Sequence, residues 1–275
     1  IDQAWGGFHL SGELINNHVA YNCGSASGTT AGSCSELSGN PPDKIGGAVN
    51  AGIKLNVPTG VNDALYVAGT YAKGDLGTTW GGIAQGNSIG LYGGNSTNAA
   101  AYGSITGGYV FDSVYSSGAG TGAGIAFGPT SQQLTTGYGG SIGFEHGWDA
   151  QWRTSVYGGF QVVDYNATAN AILCSKFGAG SASGTLTAGV GGANVSNTGA
   201  CNWDFRMFSA GTRTYWTPVR DLTIGLELVW TNHQVSHGDG VVYNQPVVSA
   251  FKPNAPYVIR DQNVFSGLFS VRRFF

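Results

Sequence analysis

The sequence predicts an all-β protein, a transmembrane antiparallel β-barrel of about ten strands. Three observations favour this fold class. Residues 263–275 alternate in character as a strand that ends on Phe275. Charged residues make up only 10% of the chain, against about 25% in ordinary soluble domains. Alternating segments of about ten residues are joined by short turns on one side and long polar connections on the other, the pattern of a membrane-spanning barrel.

Composition argues against several other classes of protein. Mean hydropathy is −0.03, and no stretch approaches the roughly 20 apolar residues of a membrane-spanning helix. The chain is 41% hydrophobic and 12% aromatic, which is too much for intrinsic disorder despite its 47 glycines. The net charge of −3, without a Lys/Arg cluster, gives no basis for nucleic-acid binding. We expect no cofactor and no metal.

Ten segments are predicted as strands because their side chains alternate along the chain. The clearest begins at Ile45, with apolar or glycine residues at every second position up to Val57. The least regular region is 76–101, where we expect one strand and a turn near 95–98. In chain order, the predicted strands are 4–14, 45–57, 64–72, 88–93, 102–111, 135–145, 151–163, 206–217, 222–235 and 263–275.

The connections between these strands are of two kinds. Short turns rich in Pro, Gly, Asn and Asp are predicted at 58–63, 146–149 and 218–221. Soluble domains seldom carry several structureless loops of more than about 15 residues, but a membrane barrel does so on one side. The long connections are predicted at 16–44, 116–134, 165–204 and 236–262.

The charges within the predicted strands fall on the more polar of the two faces. A charge that faces lipid at mid-depth costs about 2–4 kcal/mol, so this parity indicates a hydrated interior. A soluble β-sandwich would give the same parity, with its charged face toward solvent. The candidate pore-lining residues are Glu13, Lys54, Glu145, Arg153, Arg213, Glu227 and Arg272.

The four cysteines lie in the long connections as two local pairs, Cys23 with Cys34 and Cys174 with Cys201. An even count in polar loops predicts disulfides and an oxidising compartment. A zinc site is the alternative, but the chain lacks a Cys-x2-Cys spacing. The five histidines are scattered, and we expect no catalytic residues and no enzyme activity.

Three stretches, 139–148, 216–225 and 264–275, resemble the alphaproteobacterial general porins of the rhizobial type. The resemblance implies a trimeric, 16-stranded barrel in the bacterial outer membrane that passes small hydrophilic solutes by diffusion. It also implies contact with outer-membrane lipid and lipopolysaccharide, and a role for Phe275 as a signal to the barrel-assembly machinery.

The chain is interpreted as a single domain, 1–275. About ten strands are fewer than the sixteen that the resemblance implies. We therefore expect a C-terminal part of such a porin, without the N-terminal strands and without the inward-folded loop that narrows the pore. A complete, smaller barrel is the alternative.

Two other functions are compatible with the sequence. A non-conducting barrel that acts as an adhesin or surface antigen would explain the long, cysteine-containing loops. A secreted, soluble β-sandwich that binds carbohydrate would explain several tryptophans as sugar-stacking residues, namely Trp5, Trp80 and Trp203. Solubility without detergent would favour the β-sandwich.

Overall fold

One large antiparallel sheet dominates the computed structural model of the chain. The structure describes residues 2–19, 40–79, 87–92, 103–116, 130–177, 185–186, 193–196, 202–235, 242–245 and 255–274. Its elements are β1 (Asp2–Gln3), β2 (Gly6–Asn17), β3 (Lys44–Asn56), β4 (Ala64–Lys73), α1 (Leu76–Thr79), β5 (Asn87–Tyr92), β6 (Gly103–Val110), β7 (Ser113–Val114), β8 (Gln133–Leu134), β9 (Thr136–Gly147), β10 (Trp152–Asp164), α2 (Ala167–Phe177), β11 (Thr185–Leu186), β12 (Ala193–Ser196), β13 (Phe205–Val219), β14 (Leu222–Val235), β15 (Val242–Gln245), β16 (Ala255–Ile259) and β17 (Gln262–Arg273).

The large sheet has nine strands in the order β1-β2-β3-β4-β9-β10-β13-β14-β17. All of its pairs are antiparallel. Apart from β1, its strands run from 10 to 15 residues, which suits tilted membrane-spanning strands of about 9–11 residues or more. The register is irregular between Trp216 and Val219 of β13. Within the described ranges, the ladder runs from β1 to β17 without a pairing between these two end strands.

All ten predicted strands are strands in the structure, which confirms the all-β prediction, but only eight belong to the large sheet. The strands predicted at 88–93 and 102–111 are β5 and β6, and they pair with each other in a second sheet. This sheet has six strands in the order β11-β12-β15-β16-β6-β5, with β16 and β6 parallel. The turn predicted near 95–98 lies outside the described residues.

The long connections predicted at 165–204 and 236–262 were expected to be structureless, and this was wrong, because they contain the short strands β11, β12, β15 and β16. The other two strands of the second sheet, β5 and β6, were predicted as strands. The connections after β4, β10 and β14 supply all six strands of the second sheet. A separate pairing, β7 with β8, lies in the same connection as β5 and β6. These strands have 2–8 residues and pair mainly with distant partners, so they leave little periodicity along the chain.

The connection after β10 also forms α2. The helix begins after Asn166, whose side-chain Oδ1 accepts a hydrogen bond from the Ala169 backbone N–H at 2.8 Å. This is the usual N-cap arrangement, in which an Asn oxygen satisfies a free N–H of the first turn. Among the residues that the structure describes, no helix has the length and apolar content required to cross a membrane.

The apolar core lies where the long connections meet the sheet. Val163 of β10 and Phe205 of β13 are almost fully buried there. Residues from α1, β6, β7 and α2 pack around them, so the connections fold back over the strand ends. The core consists of Leu76, Val110, Val114, Val163, Tyr165, Ala169, Ile172, Leu173, Trp203 and Phe205.

At the opposite end, Asp63 joins two of the short turns. Its carboxylate accepts hydrogen bonds from Thr59 Oγ1 and from the Gly147 backbone N–H at 2.8 Å. It also lies 2.7 Å from His146 Nδ1. Desolvation alone would raise the pKa of Asp63, but these hydrogen bonds hold the pKa below its usual value. The turn before β4 is thus fastened to the turn after β9.

We expect Asp63→Asn to lower the midpoint of heat-induced unfolding, because the turn clamp loses its charge-assisted hydrogen bonds. The lowered pKa contributes stability above the ordinary carboxyl pKa, and this stability is lost as pH falls through the lower folded-state value. The variant should therefore lose part of the acid sensitivity seen below about pH 4. Heat-dependent gel mobility from pH 2 to 7 measures both effects.

Asp221→Asn is the matched control for this prediction. Asp221 lies on another short turn, is exposed, and makes no side-chain hydrogen bond among those found in the described ranges. Equal effects of the two substitutions would show that Asp63 does not fasten the turns.

Candidate functional site

The register of the large sheet assigns every side chain in it to one of two faces, because successive residues of a strand point to opposite sides. We call one the polar face. It carries the odd-numbered residues of β2, β9, β10, β13 and β14 and the even-numbered residues of β3, β4 and β17. One ladder row across this face contains Glu145, Ser155, Arg213, Glu227 and Leu268.

The other face, the apolar face, exposes large hydrophobic side chains on seven of the eight long strands, all except β13. Leu14 is 84% exposed and Phe265 is 80% exposed. A water-soluble fold would bury such a continuous surface, whereas hydrocarbon is a suitable neighbour for it. The exposed apolar residues of this face are Phe8, Leu10, Leu14, Ile45, Val49, Val67, Tyr71, Ile142, Trp152, Val156, Phe160, Leu226, Leu228, Phe265, Phe269 and Val271.

Tryptophans mark both ends of the apolar face. The rings of Trp152 and Trp216 stack at 5.5 Å beside the short turns. At the other end, Trp230 Nε1 donates to Asn263 Oδ1 at 3.0 Å. Rings with one apolar and one polar side suit the two membrane–water boundaries, so these positions fit interface girdles.

All seven predicted pore-lining residues lie on the polar face, but at two different depths. Glu13 lies near the long connections, paired with Ala48. Lys54 is six residues further along β3, which is about 20 Å toward the short turns. The six residues near the short turns are Lys54, Glu145, Arg153, Arg213, Glu227 and Arg272.

Near the short turns, the cations stack on tyrosine rings. The guanidinium carbons of Arg153 and Arg213 lie 5.0 and 4.9 Å from the ring centroid of Tyr215. Lys54 Nζ lies 5.7 Å from the ring centroid of Tyr66. These distances are within the range of cation–π attraction, so the rings hold the positive groups in place.

The carboxylates of this region bind hydroxyl groups. Ser155 Oγ donates to Glu145 Oε2 at 2.9 Å, and the Tyr157 hydroxyl donates to Glu227 Oε1. Arg213 and Glu227 are register partners, yet they form no ion pair within 4 Å. In the described ranges, the ion pairs found join His18 to Asp43 and His146 to Asp63.

Two of these tyrosines lie flat against the sheet because a glycine stands beneath each ring. A Cβ atom on Gly211 would lie 2.8 Å from the ring of Tyr157, and one on Gly225 would lie 2.6 Å from the ring of Tyr215. Sequence reasoning missed these tyrosines as site residues. The signal is a Tyr opposite a Gly on the neighbouring strand, which is visible only once the register is known.

The second sheet lies on the polar face at the end nearest the long connections. Thr106 Oγ1 of β6 is 2.7 Å from Nδ1 of the fully buried His233 in β14. Gly108 of β6 packs directly against the ring of Phe205, leaving no room for a Cβ atom. Both His233 and Phe205 belong to the polar face, so this end of the face is covered.

Helix α1, from the same connection, also lies on the polar face. Leu76 packs directly against Gly137, and Gln161 Nε2 donates to the Thr79 carbonyl at 2.8 Å. The connection between β4 and β9 is therefore folded onto this face. The prediction that the chain lacks an inward-folded segment was wrong, because the segment has weak periodicity and is recognisable only by its packing.

This covered end is acidic. Thr78 of α1 donates a hydrogen bond to Glu13, and Asp112 Oδ1 accepts one from the Leu76 backbone N–H at 2.6 Å. Desolvation raises the pKa of Asp75, and the nearby negative groups of Glu13 and Asp112 raise it further. In the described ranges, Lys44 is the cation that the register places at this end of the polar face.

Between the two ends, the polar face forms a groove with two concavities of about 240 and 640 Å³. Small side chains of the sheet line the bottom of the groove, so the space above the sheet is open to solvent. Side chains common to both concavities include Ala68, Ser141 and Ser209. The larger one also borders His9, Lys54, Tyr66 and Tyr157.

Several predicted site residues cannot be placed. Cys23, Cys34, Cys201 and Phe275 lie outside the described residues, and Cys174 lies in α2 without a described side chain. The predicted disulfides and assembly signal therefore stay predictions. In the described part of the chain, no three His, Cys, Asp or Glu side chains form a group that could hold a metal ion.

The tryptophans proposed for sugar stacking are dispersed. Trp203 is buried in the core at 6% exposure and offers no ring face to a ligand, Trp5 is exposed, and Trp80 lies outside the described residues. Of the two described tryptophans of this set, only Trp5 therefore offers a ring face to a ligand.

Comparison with known proteins identifies one matching family. A family model described as "Porin subfamily" matches residues 1–268. No curated protein matches the chain. Among solved structures, the chain is similar to the outer membrane channel DcaP of Acinetobacter baumannii, with 14% identity and a TM-score of 0.43. The match covers 97% of this chain and 47% of that one, so the chain spans about half the length of that channel.

Proposed function

The chain belongs to the porin subfamily, and we propose that it forms a passive, water-filled channel for small hydrophilic solutes and ions. Members of this family are β-barrel proteins of the bacterial outer membrane, which sets the fold class and the location of this chain. By the usual arrangement of such barrels, the short turns face the periplasm and the long connections face outward.

The observation that carries the proposal is the side on which the sheet is covered. In a soluble β-sandwich, a second sheet packs on the apolar face and the polar face meets water. Here the second sheet and α1 lie on the polar face, and the apolar face is exposed along its whole length. This arrangement suits a wall with lipid on its apolar side and water on its polar side.

The mechanism we propose is steric and electrostatic. The small residues of the groove leave a passage along the polar face, and the segment that includes α1 and β6 narrows it from the outer side. The charged side chains of the polar face set the field that a solute meets. Diffusion through such a passage needs no conformational change and no energy source.

Further properties follow only from the family resemblance and are part of the proposal. We propose a rhizobial-type porin that assembles as a homotrimer, contacts lipopolysaccharide and lipid, and uses Phe275 as a signal for the barrel-assembly machinery. We also propose disulfides among the two local cysteine pairs, because cysteines in polar outer loops meet an oxidising environment.

The second sheet favours one other candidate function. It joins three outward connections into one body over the end of the polar face, and this body could close the passage. A closed barrel whose outer loops bind a partner would then act as an adhesin or surface antigen. A measurement of conductance distinguishes the open channel from the closed barrel directly.

The test is single-channel recording from the detergent-refolded chain in a planar bilayer. We expect discrete, repeated conductance steps. Ser209→Trp should reduce the step size, because Ser209 borders both concavities of the groove. Ala210→Trp is the matched control, since the adjacent residue is exposed on the apolar face. No steps from a sample with heat-sensitive gel mobility would instead support the closed barrel.

A further inference from the structure

We propose that the periplasmic end of the polar face is an anion-attracting mouth and that the channel is rectifying because its outer end is acidic. The mouth is formed by Lys54, Arg153, Arg213 and Arg272, and its ligands are small anions in general. This inference rests on the proposed function, since it requires a conducting pore.

The protein does not neutralise the cations of the mouth. No carboxylate lies within 4 Å of any of the four among the described residues. Arg153 and Arg213 instead share the ring of Tyr215, and Lys54 lies over that of Tyr66. Stacking uses the flat side of a guanidinium and not its N–H edge. Lys54, Arg153 and Arg272 are exposed, whereas Arg213 is half-buried and its Nε is buried.

The carboxylates of the mouth bind hydroxyl groups and form no ion pair with the cations. Glu145 binds Ser155, and Glu227 binds Tyr157, although Glu227 stands directly across from Arg213. Each carboxylate is oriented toward a hydroxyl group. Among the strand side chains of the polar face near the short turns, four cations against two carboxylates leave a formal excess of two positive charges.

The outer end of the polar face carries charge of the opposite sign to that of the mouth. Glu13, Asp75 and Asp112 lie there, with Lys44 as the cation that the register adds. The row of Glu13 lies about 20 Å along the strands from that of Lys54. The Debye length in physiological salt is about 8 Å, so the two ends keep separate fields instead of cancelling.

The charges are thus separated along the strands and not only across the passage. An anion entering from the periplasm meets attraction first, and a cation entering from outside meets attraction first. One polarity of voltage therefore fills the passage with both ions, while the other polarity depletes it. The expected consequence is a larger current at one sign of voltage than at the other.

The test is planar-bilayer recording in potassium chloride, with the current ratio at opposite voltages and the reversal potential in a salt gradient. Each mouth charge removed should lower the chloride-to-potassium permeability ratio roughly two- to threefold. A unit charge in water acts on an ion about 7 Å away with an energy near RT, with opposite sign for chloride and potassium. Screening with a Debye length of about 8 Å reduces each energy to about 0.4 RT, which sets this factor. The double variant Arg153→Gln/Arg213→Gln should also reduce the rectification.

The sharpest control uses two neighbouring arginines of β17. Arg272 lies on the polar face and Arg273 on the apolar face, at the same depth. Arg272→Gln should lower the permeability ratio, and Arg273→Gln should leave it unchanged. Arg153→Lys/Arg213→Lys keeps both charges and should retain the selectivity, which separates a charge effect from damage to the fold.

Three outcomes would overturn the proposal. Persistent steps with unchanged selectivity and rectification in the glutamine variants would refute the anion mouth but leave the channel intact. Equal effects of Arg272→Gln and Arg273→Gln would remove the assignment to the polar face. No conductance from the folded native chain would refute the channel and, with it, this inference. Addition of inorganic phosphate from the short-turn side should reduce chloride current in the native chain and in Arg153→Lys/Arg213→Lys, and it should have a smaller effect in Arg153→Gln/Arg213→Gln.

Discussion

Phe205→Ala is expected to lower the free energy of unfolding by about 3–5 kcal/mol, the usual cost of removing a buried phenylalanine. Phe205 is 1% exposed and packs in the core beneath the long connections. Its ring stacks on His233 at 5.3 Å and lies against Gly108 of β6. The substitution would leave a cavity where the second sheet meets the large sheet.

Equilibrium unfolding in urea, followed by tryptophan fluorescence in lipid vesicles, measures this loss. Phe265→Ala is the matched control, because Phe265 is 80% exposed on the apolar face and its removal leaves no enclosed cavity. We expect a much smaller loss for the control. If the two variants lost equal stability, the core would not lie beneath the long connections.

Leu228→Arg is expected to destabilise the protein in a bilayer by about 2–4 kcal/mol, the cost of an arginine that faces lipid at mid-depth. Leu228 is exposed on the apolar face, near the middle of β14. The charge would have to reach the interface by snorkelling or by drawing water into the hydrocarbon. The same measurement of unfolding in vesicles applies.

Val229→Arg is the matched variant for this prediction. Val229 is the next residue, faces the opposite side of the sheet, and stands across from Gly211 and Ser266. An arginine there would enter the hydrated groove, so we expect a loss below about 1 kcal/mol. A larger loss at 229 than at 228 would mean that the two faces are assigned the wrong way round.

The large sheet could be predicted from the sequence because long antiparallel strands with different faces leave a period-two signal. Alternation alone placed Glu145 of β9 and Arg213 of β13 on the same face, and the register confirms it. Alternation could not say which face is covered, because a β-sandwich and a barrel share the pattern. Packing of β6 against Phe205 and His233 supplied that information.

Two strands of the second sheet, β5 and β6, were predicted, but the sheet itself was not, since its other strands are short and their partners are distant. The strand β6 pairs with β16, which is separated from it by more than 140 residues. One sequence signal was present in the larger sheet. Val163 and Phe205 are large apolar residues at positions where β10 and β13 carry mostly small, polar or charged side chains, and the second sheet covers that part of the face.

The sequence predicted which charged residues share the polar face, but it did not predict their depth along the strands. Two depths, with Glu13 at one end and the arginines at the other, depend on which strands pair and in what register. The stacking of Arg153 and Arg213 on Tyr215 also depends on Gly225 opposite that ring. Their role as pore-lining residues stays a prediction that conductance will test.

The central claim is that the apolar face meets lipid and the polar face meets water. Spin labels placed singly at positions 226–231 of β14, in lipid vesicles, test it most directly through collisions with oxygen and with a water-soluble nickel complex. We predict that labels at 226, 228 and 230 collide mainly with oxygen, and that labels at 227, 229 and 231 collide mainly with the nickel complex. Any signal from the chain without an introduced labelling site is subtracted in each case. Nickel access at all six positions, or the reverse alternation, would contradict the account.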